Sequence, residues 1–463
     1  MSKEIKLSHQ ARWAFIITLL TGTFTMSISQ SALSTAYPTL MKYFSVSAST
    51  IQWLTTGFML IMTVMIPVSP WLLANINFKS LYLSLLLVFD LGTLLIVMAS
   101  SFQLMMLGRV LEAIAVGVLF PAYQTVLLNI TPKNQRGSIM GLAGLVMGSA
   151  LAVGPIISGV VLRFFKWQGV FVFFMIVITL VLLEALKFII SPLELHPSKL
   201  DWISAFSAIS FIGFLYVLTQ WGKTLVWNSN LIIILIASFI LLGIFVMRQL
   251  TASKPMLQLR VLKTFNFDLA LLLTGFSYIA LIVVTIIFPL YYQNVLHLSA
   301  FWSGLALVPG AVILSVLNPL TGRMADKFGF KVTLIWGMSM IALGWCLLAI
   351  LNQQLNLIIL ILIAALIEGG NAFVMMPAVT MGANSLPKEY IADGTAVITT
   401  IRQILGSVGV SVATLLLSLP AMGATEVIKQ QQQFHLVFIV FSIIEIIGLV
   451  FALVIRNAFP KHD

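Results

Sequence analysis

Four ionisable residues sit deep inside long apolar runs and can be argued to do chemistry there: Asp90, Arg109, Glu112 and Glu368. A charge at mid-bilayer costs about 2.5–3.5 kcal/mol on insertion scales, so such residues are kept mostly for function. Arg109 and Glu112 are three apart, which places them on one helical face within pairing distance. Such a pair either locks a bundle or lets the arginine change the proton affinity of nearby acids when substrate binds. Desolvation favours the neutral form of any carboxylic acid, so an acid held between helices can take up and release protons near physiological pH. Glu368 suits that task beside the flexible run Glu368-Gly369-Gly370-Asn371, and Asp90 is a further candidate. Glu184 and Lys187, also three apart, read as a structural pair that reaches for the membrane surface. The chemistry implied is proton carriage.

Positioning these groups requires a membrane. The chain has 463 residues, 60% hydrophobic and 8% charged, with a mean hydropathy of +1.08. Globular domains carry about 25% charged residues, so a soluble fold is excluded. The net charge of +11 is not a nucleic-acid signature, because the bases sit in short loops between apolar runs. Cys346 stands alone, which excludes a disulfide framework and a thiol metal site. The five histidines (His9, His196, His297, His435 and His462) fall in loops or at helix ends, without cysteine or carboxylate at metal spacing. Trp221-Gly222-Lys223-Thr224 imitates the end of a phosphate-binding loop, but the position of its first glycine is Val217. No enzyme, cofactor or ATP-driven pump is expected. Energy must come from an ion gradient or from the substrate's own. The apolar run after Arg12 reads as a first spanning helix rather than a removed signal.

A span needs about 20 mostly apolar residues. By that measure the expected helices cover 13–33, 51–73, 80–100, 103–128, 138–162, 168–190, 202–220, 230–249, 269–291, 302–321, 332–351, 356–380, 397–419 and 435–456, about fourteen in all. One set of loops holds Lys3, Lys6, Arg12, Lys79, Lys133, Arg136, Lys199, Arg248, Lys254, Arg260, Lys263, Arg323, Lys327, Lys331, Lys388 and Lys461, and the opposite set holds few bases. Positive loops stay cytoplasmic, which puts both termini in the cytoplasm of a multi-pass plasma-membrane protein. Ser191-Pro192 through Pro197 breaks the sixth helix. The expected organisation is a six-helix bundle over 1–190, a linker with two extra helices over 191–262, and a second six-helix bundle over 263–463. Two bundles joined through an insert suit a transporter built of repeats, with its substrate site between them.

The segment from Gly137 to Gly159 carries glycines at 137, 141, 144, 148, 154 and 159, three to six residues apart, and a proline at 155. In lipid no hydrophobic force joins helices, so a flat glycine face serves close backbone packing. Pro155 removes a donor and is expected to kink the helix. The plainer alternative is an ordinary tight helix seam.

Leu107-Gly108-Arg109-Val110-Leu111-Glu112 through Gly117 and Pro121 resembles the helix-4 motif of major facilitator superfamily drug:proton antiporters. Gly154-Pro155-Ile156-Ile157-Ser158-Gly159 resembles their antiporter motif, and Gly322-Arg323-Met324-Ala325-Asp326-Lys327 through Lys331 resembles the superfamily's cytoplasmic-loop motif. With fourteen spans the chain is most similar to the EmrB/QacA type. Residues 51–60, 289–294 and 394–403 resemble its lincomycin-resistance branch. The resemblance runs over nearly the whole chain. It implies an all-α integral membrane fold of two six-helix bundles with two inserted helices. It implies that Arg109 couples to protons, that Gly144, Gly148, Gly154 and Pro155 form a bending interface between halves, and that Arg323 and Asp326 belong to a cytoplasmic latch. In such folds the helices of Asp90 and Glu445 pack at the periphery.

Two departures stand against that pattern. The first-half loop, Leu73 through Lys79, lacks the acidic glycine-bounded motif, so a latch is one-sided. In helix 1 the acidic position nine before Pro38 is Ser29, followed by Gln30, which moves coupling to Glu112 or Glu368 or removes it. A site for bulky amphipathic cargo should be aromatic with few polar groups, and the candidates are Gln30, Trp53, Phe58, Tyr123, Gln124, Tyr278 and Asn371. The expected function is proton-coupled antiport of amphipathic drugs by a monomer in the bilayer, with protons and small molecules as its only partners. The alternatives are movement of an endogenous lipid, peptide or metabolite, and a receptor or scaffold of transporter shape.

Overall fold

Backbone amides in hydrocarbon have no water to bond, so an apolar run of span length satisfies itself as a helix. A computed structural model describes residues 9–455 apart from 52, 198, 200, 225, 253–254 and 420–425, and the described residues form helices and no strand. Lys3, Lys6, Lys254 and Lys461 lie outside the described residues, as does the side chain of Pro155.

The principal helices are α1 (His9–Phe44), α2 (Trp53–Met65, prolonged by Ser69–Asn75), α3 (Phe78–Val97), α4 (Phe102–Ile130) and α5 (Arg136–Phe164). They continue with α6 (Gln168–Phe188), α7 (Ser210–Thr224, preceded by Trp202–Ser207), α8 (Ser229–Thr251) and α9 (Phe265–Asn294). The last five are α10 (Val308–Phe328), α11 (Phe330–Leu351), α12 (Leu357–Asn384), α13 (Ile391–Ser418) and α14 (Glu426–Leu453). Among the described residues, 12 helical stretches are long and apolar enough to cross a membrane. α5 and α7 are not among them. α7 has only 15 residues, and α5 includes positions 151, 152 and 155, whose side chains lie outside those described. The expected count of fourteen spans is therefore met for twelve.

Side-chain caps mark several starts. Ser101 accepts from the Leu104 amide at 3.2 Å, Asn228 from Leu231 at 2.8 Å and Asn356 from Ile359 at 3.0 Å, which supplies orphan amides of α4, α8 and α12. The break expected at Ser191–Pro197 is present: among the described residues no helix runs between Phe188 and Trp202. The Ser191 hydroxyl accepts from the Lys79 amide at 3.1 Å, and the His196 amide donates to Ala74 at 2.9 Å, so the linker is tied to the first helices.

Successive helices alternate in direction. Arg12, at the start of α1, donates to Thr131 just past the end of α4. Arg136 donates to Asn384 at the end of α12. These contacts define a near end, where α1 begins, and a far end opposite.

Two helix pairs repeat the same contact. Added Cβ atoms at Gly92 of α3 and Gly108 of α4 would come within 2.7 Å and 2.5 Å of each other's carbonyl oxygens. Gly337 of α11 and Gly370 of α12 show the same reciprocal approach at 2.8 Å and 2.7 Å. The third and fourth helices of each six-helix group thus touch backbone to backbone, as small residues permit in lipid. This contact brings Thr93 of α3 beside Glu112 of α4.

The inserted pair is held by its own clasp. Asp201 caps Trp202–Ser207 and accepts from Arg248 of α8 at 2.7 Å. Burial pushes the Asp201 carboxyl up, but the Arg248 and Ser204 hydrogen bonds outweigh it and hold the carboxyl below the usual range. α7 packs against both α2 and α13, so the insert bridges the two groups from the side.

Candidate functional site

α4 carries its charges on a buried face. Arg109 is 1% exposed and Glu112 fully buried, with Arg109 Nη1 2.6 Å from Glu112 Oε2. The other carboxylate oxygen, Oε1, accepts from the Thr93 hydroxyl at 2.8 Å. Arg109 Nε donates to the Leu54 carbonyl at 3.3 Å, and the guanidinium lies 4.4 Å over the Phe58 ring. Nη2 is buried without a hydrogen-bond partner. The pair is therefore sealed between α2, α3 and α4. An ion pair in such surroundings holds only while both partners keep their charge, since removing one leaves a buried charge uncompensated.

In the second helix group Glu368 of α12 is 6% exposed and accepts from Asn371 Nδ2 at 3.3 Å. Asn371 Oδ1 in turn accepts from the Ser277 hydroxyl of α9 at 2.7 Å. Gly310 of α10 makes room on the other side, since a Cβ there would meet Glu368 Cγ at 3.1 Å. Glu368 has no basic partner among the described residues.

Between the groups, α5 lies along α10. Added Cβ atoms at Gly137, Gly141 and Gly144 would fall within 2.5 Å of Asp326, the Asn318 carbonyl and Asn318 Oδ1, and one at Gly148 would come 3.0 Å from the Ser315 hydroxyl. Asp326 closes the near end. Its carboxylate accepts from the Gly137 amide at 2.8 Å and from the Ser138 amide and hydroxyl at 2.7 and 2.6 Å, at the positive end of α5. Arg136 reaches Asn384 at 2.7 Å, and Thr125 of α4 meets Thr395 of α13 at 2.7 Å. Among the described residues, every hydrogen bond between the two six-helix groups lies toward this end.

Comparison with known proteins agrees with this architecture. Residues 19–410 match the model of the Major Facilitator Superfamily. The lincomycin resistance protein LmrB of Listeria monocytogenes is 33% identical over 404 residues, covering 87% of this chain and 86% of that one. The uncharacterized MFS-type transporter YcnB of Bacillus subtilis is 32% identical over 461 residues, covering 99% and 98%. The chain belongs to the major facilitator superfamily. More distantly, the multidrug export protein EmrB of Haemophilus influenzae is 24% identical over 86% of this chain and 79% of its own. Among solved structures, the human organic anion transporter MFSD10 superposes with a TM-score of 0.68 at 11% identity over 96% of this chain and 100% of its own, a likeness of fold alone. As a facilitator-superfamily protein the chain is a multi-pass membrane transporter rather than an enzyme, and it needs no cofactor.

Within this facilitator fold the expected residues scatter. Phe58 and Asn371 belong to the two acid clusters rather than to an open lining. Trp53 stacks on Tyr216 of the insert at 6.1 Å. Tyr123 and Gln124 are buried on α4 and joined at 3.3 Å, while Tyr278 and Gln30 are half-buried on α9 and α1. Asp90 faces α6, where Thr179 donates to it at 2.8 Å, and is separate from the Arg109 pair. Arg323 is exposed and has no ion pair among the described residues, so Asp326 forms the near-end clasp without it.

Gly154 requires a correction. A Cβ there would meet Ser31 Oγ at 1.9 Å, so it packs on α1 inside the first group and not between groups. At about 100° per residue Gly154 lies well off the stripe formed by Gly137, Gly141, Gly144 and Gly148. α5 is helical through position 155.

Several partners were not singled out from sequence: Thr93, Ser277, Asn318, Ser315 and Arg402. The first four are ordinary polar residues of helices, and only tertiary packing assigns them. Arg402 differs, because it stands inside a span by the same criterion that singled out Arg109.

Proposed function

We propose that this transporter exports amphipathic drugs in exchange for protons by alternating access, with its near end and both termini in the cytoplasm. The observation that carries this reading is the sealed Arg109–Glu112 pair. Its carboxylate is held by one arginine and one threonine, a set that loses its ion pair when a proton arrives. Glu368, with amide and hydroxyl neighbours only, supplies a second carboxylate in the opposite group. The near-end clasp of Asp326, Arg136 and Thr125 supports an outward-facing assignment for this conformation, since the basic loops belong at that end. The relatives named for lincomycin resistance and multidrug export support drugs as cargo.

The test is a susceptibility panel on an expressing strain, lincomycin included, with and without a protonophore. It is paired with proteoliposomes in which substrate addition should release protons. Resistance that persists undiminished with the protonophore sinks the coupled reading. One observation favours the other cargo class. Ser29 of α1 is buried with its hydroxyl unpartnered where related antiporters carry an acid, which suits an uncoupled carrier of an endogenous lipid, peptide or metabolite. Thermal-shift screening of both ligand sets separates the two.

A further inference from the structure

Arg402 is the least explained charge in the molecule. It lies mid-way along α13 and is 7% exposed. Nε and Nη1 are both buried without a hydrogen-bond partner, and among the described residues the arginine takes part in no ion pair. Its one specific contact is aromatic: the guanidinium stands 5.2 Å from the Tyr278 ring centroid. That ring is pressed on α13 because Gly406, one turn on, leaves space, and a Cβ there would lie 2.7 Å from the ring. α4 of the first group also packs on α13, where Thr125 meets Thr395 at 2.7 Å, two turns before Arg402 on the same helical face. Arg402 is therefore placed where α4, α9 and α13 converge.

Among the described residues, no acid of the spans forms an ion pair with Arg402. Glu112 belongs to Arg109, Glu368 to Asn371, Asp90 to Thr179 and Asp326 to α5. Asp393 accepts from the Gln258 amide and, nine residues earlier on α13, faces the opposite side of that helix. Neither oxygen of Glu445 has a partner. A buried cation without a protein anion is costly unless something else compensates it.

Resting on the reading of this chain as an exporter, we propose that Arg402 is the recognition point for an anionic group on the cargo, a carboxylate or sulfonate attached to an aromatic body. The planar guanidinium offers two free N–H edges for such a group, while Tyr278 supplies aromatic surface beside it. The substrate class is thus amphipathic aromatic anions and zwitterions, not cations alone.

Two dyes with one xanthene ring system and opposite charge test this: fluorescein, an aromatic carboxylate, and rhodamine 6G, a cation whose carboxyl is esterified. Binding to the full-length protein in nanodiscs, with no gradient, is followed for wild type, Arg402→Gln and Arg402→Lys. Wild type should bind fluorescein. Arg402→Gln should weaken it roughly 10- to 100-fold, as expected for a hydrogen bond to a charged group, and leave rhodamine 6G equal or tighter. Arg402→Lys should fall between. Failure of wild type to bind fluorescein, unchanged fluorescein binding in Arg402→Gln, or equal loss of both dyes overturns the proposal. Gradient-driven flux is measured separately. Its loss with anion selectivity intact defeats the exporter reading alone, and its persistence without that selectivity defeats only the role of Arg402.

Discussion

Asp326 of α10 accepts from the Ser138 amide at 2.7 Å and from its hydroxyl at 2.6 Å, so an acid from one helix group caps the first turn of a helix in the other. Capping of this kind is worth about 0.5–2 kcal/mol, more when the acceptor is charged. Because the cap exists only while the near end is shut, its energy is a bias on conformation rather than on folding. Asp326→Ala should shift the closed population by a factor of about 5–30. Spin labels on the near ends of α5 and α10 would report this as a longer, broader distance distribution. An unchanged distribution means that the glycine seam and the Arg136 and Thr125 contacts keep this end shut without Asp326.

The acids make a separable prediction. In Glu112→Gln the amide oxygen can still accept from Thr93, so the fold survives while the charge that answers Arg109 is gone. Arg109→Ala is harsher, because it strands a buried carboxylate at a cost of about 3–5 kcal/mol. Expected outcomes are a roughly tenfold or greater loss of gradient-driven export in Glu112→Gln and in Glu368→Gln with normal yield, and poor yield in Arg109→Ala. Export that survives in both glutamine variants would falsify the coupling role of these acids.

The glycine stripe supplies its own control. A methyl group at Gly141 would lie 2.4 Å from the Asn318 carbonyl, whereas one at Gly159 on the same helix meets nothing within 4 Å. Gly141→Ala should cost about 1–3 kcal/mol through overpacking and lower the melting temperature in detergent. Gly159→Ala should change stability by less than about 0.5 kcal/mol. Equal effects at the two sites would mean that packing against α10 does not set the tolerance of this helix.

How much of this was legible in the chain depends on the distance over which each signal acts. Local patterns carried far. Hydropathy located the apolar helices, although α1 runs on to Phe44 past an expected end at 33 and α14 begins at Glu426 before an expected start at 435. Arg109 and Glu112, three apart on one helix, did pair. Contacts between helices distant in sequence did not follow from such patterns. Gly144 and Gly148 face Asn318 and Ser315, 174 and 167 residues further along, and nothing local says that α10 rather than α1 receives them. Gly154 was placed between the halves by resemblance alone, whereas by that position the helix has turned past α10 and the glycine meets Ser31 of α1. Arg402 was hidden differently. It was read as one letter of a motif, although the rule about charges inside spans applied to it without change.

Glu445 of α14 presents the opposite case to Glu112, a fully buried carboxyl whose two oxygens find no partner. Its helix packs on α9 and α11 inside the second group, away from the first, and one turn on Gly448 approaches Met338 and Phe276. A buried polar group left without hydrogen bonds costs about 1–3 kcal/mol, and an apolar side chain of similar length removes that cost. Glu445→Met should therefore raise the melting temperature by several degrees and leave drug export and its protonophore sensitivity as they were. The measurement also has an informative reverse. If the variant melts higher but no longer exports, Glu445 is an ionisable group that transport needs, and proton traffic in this protein extends to the outer helices of the second bundle.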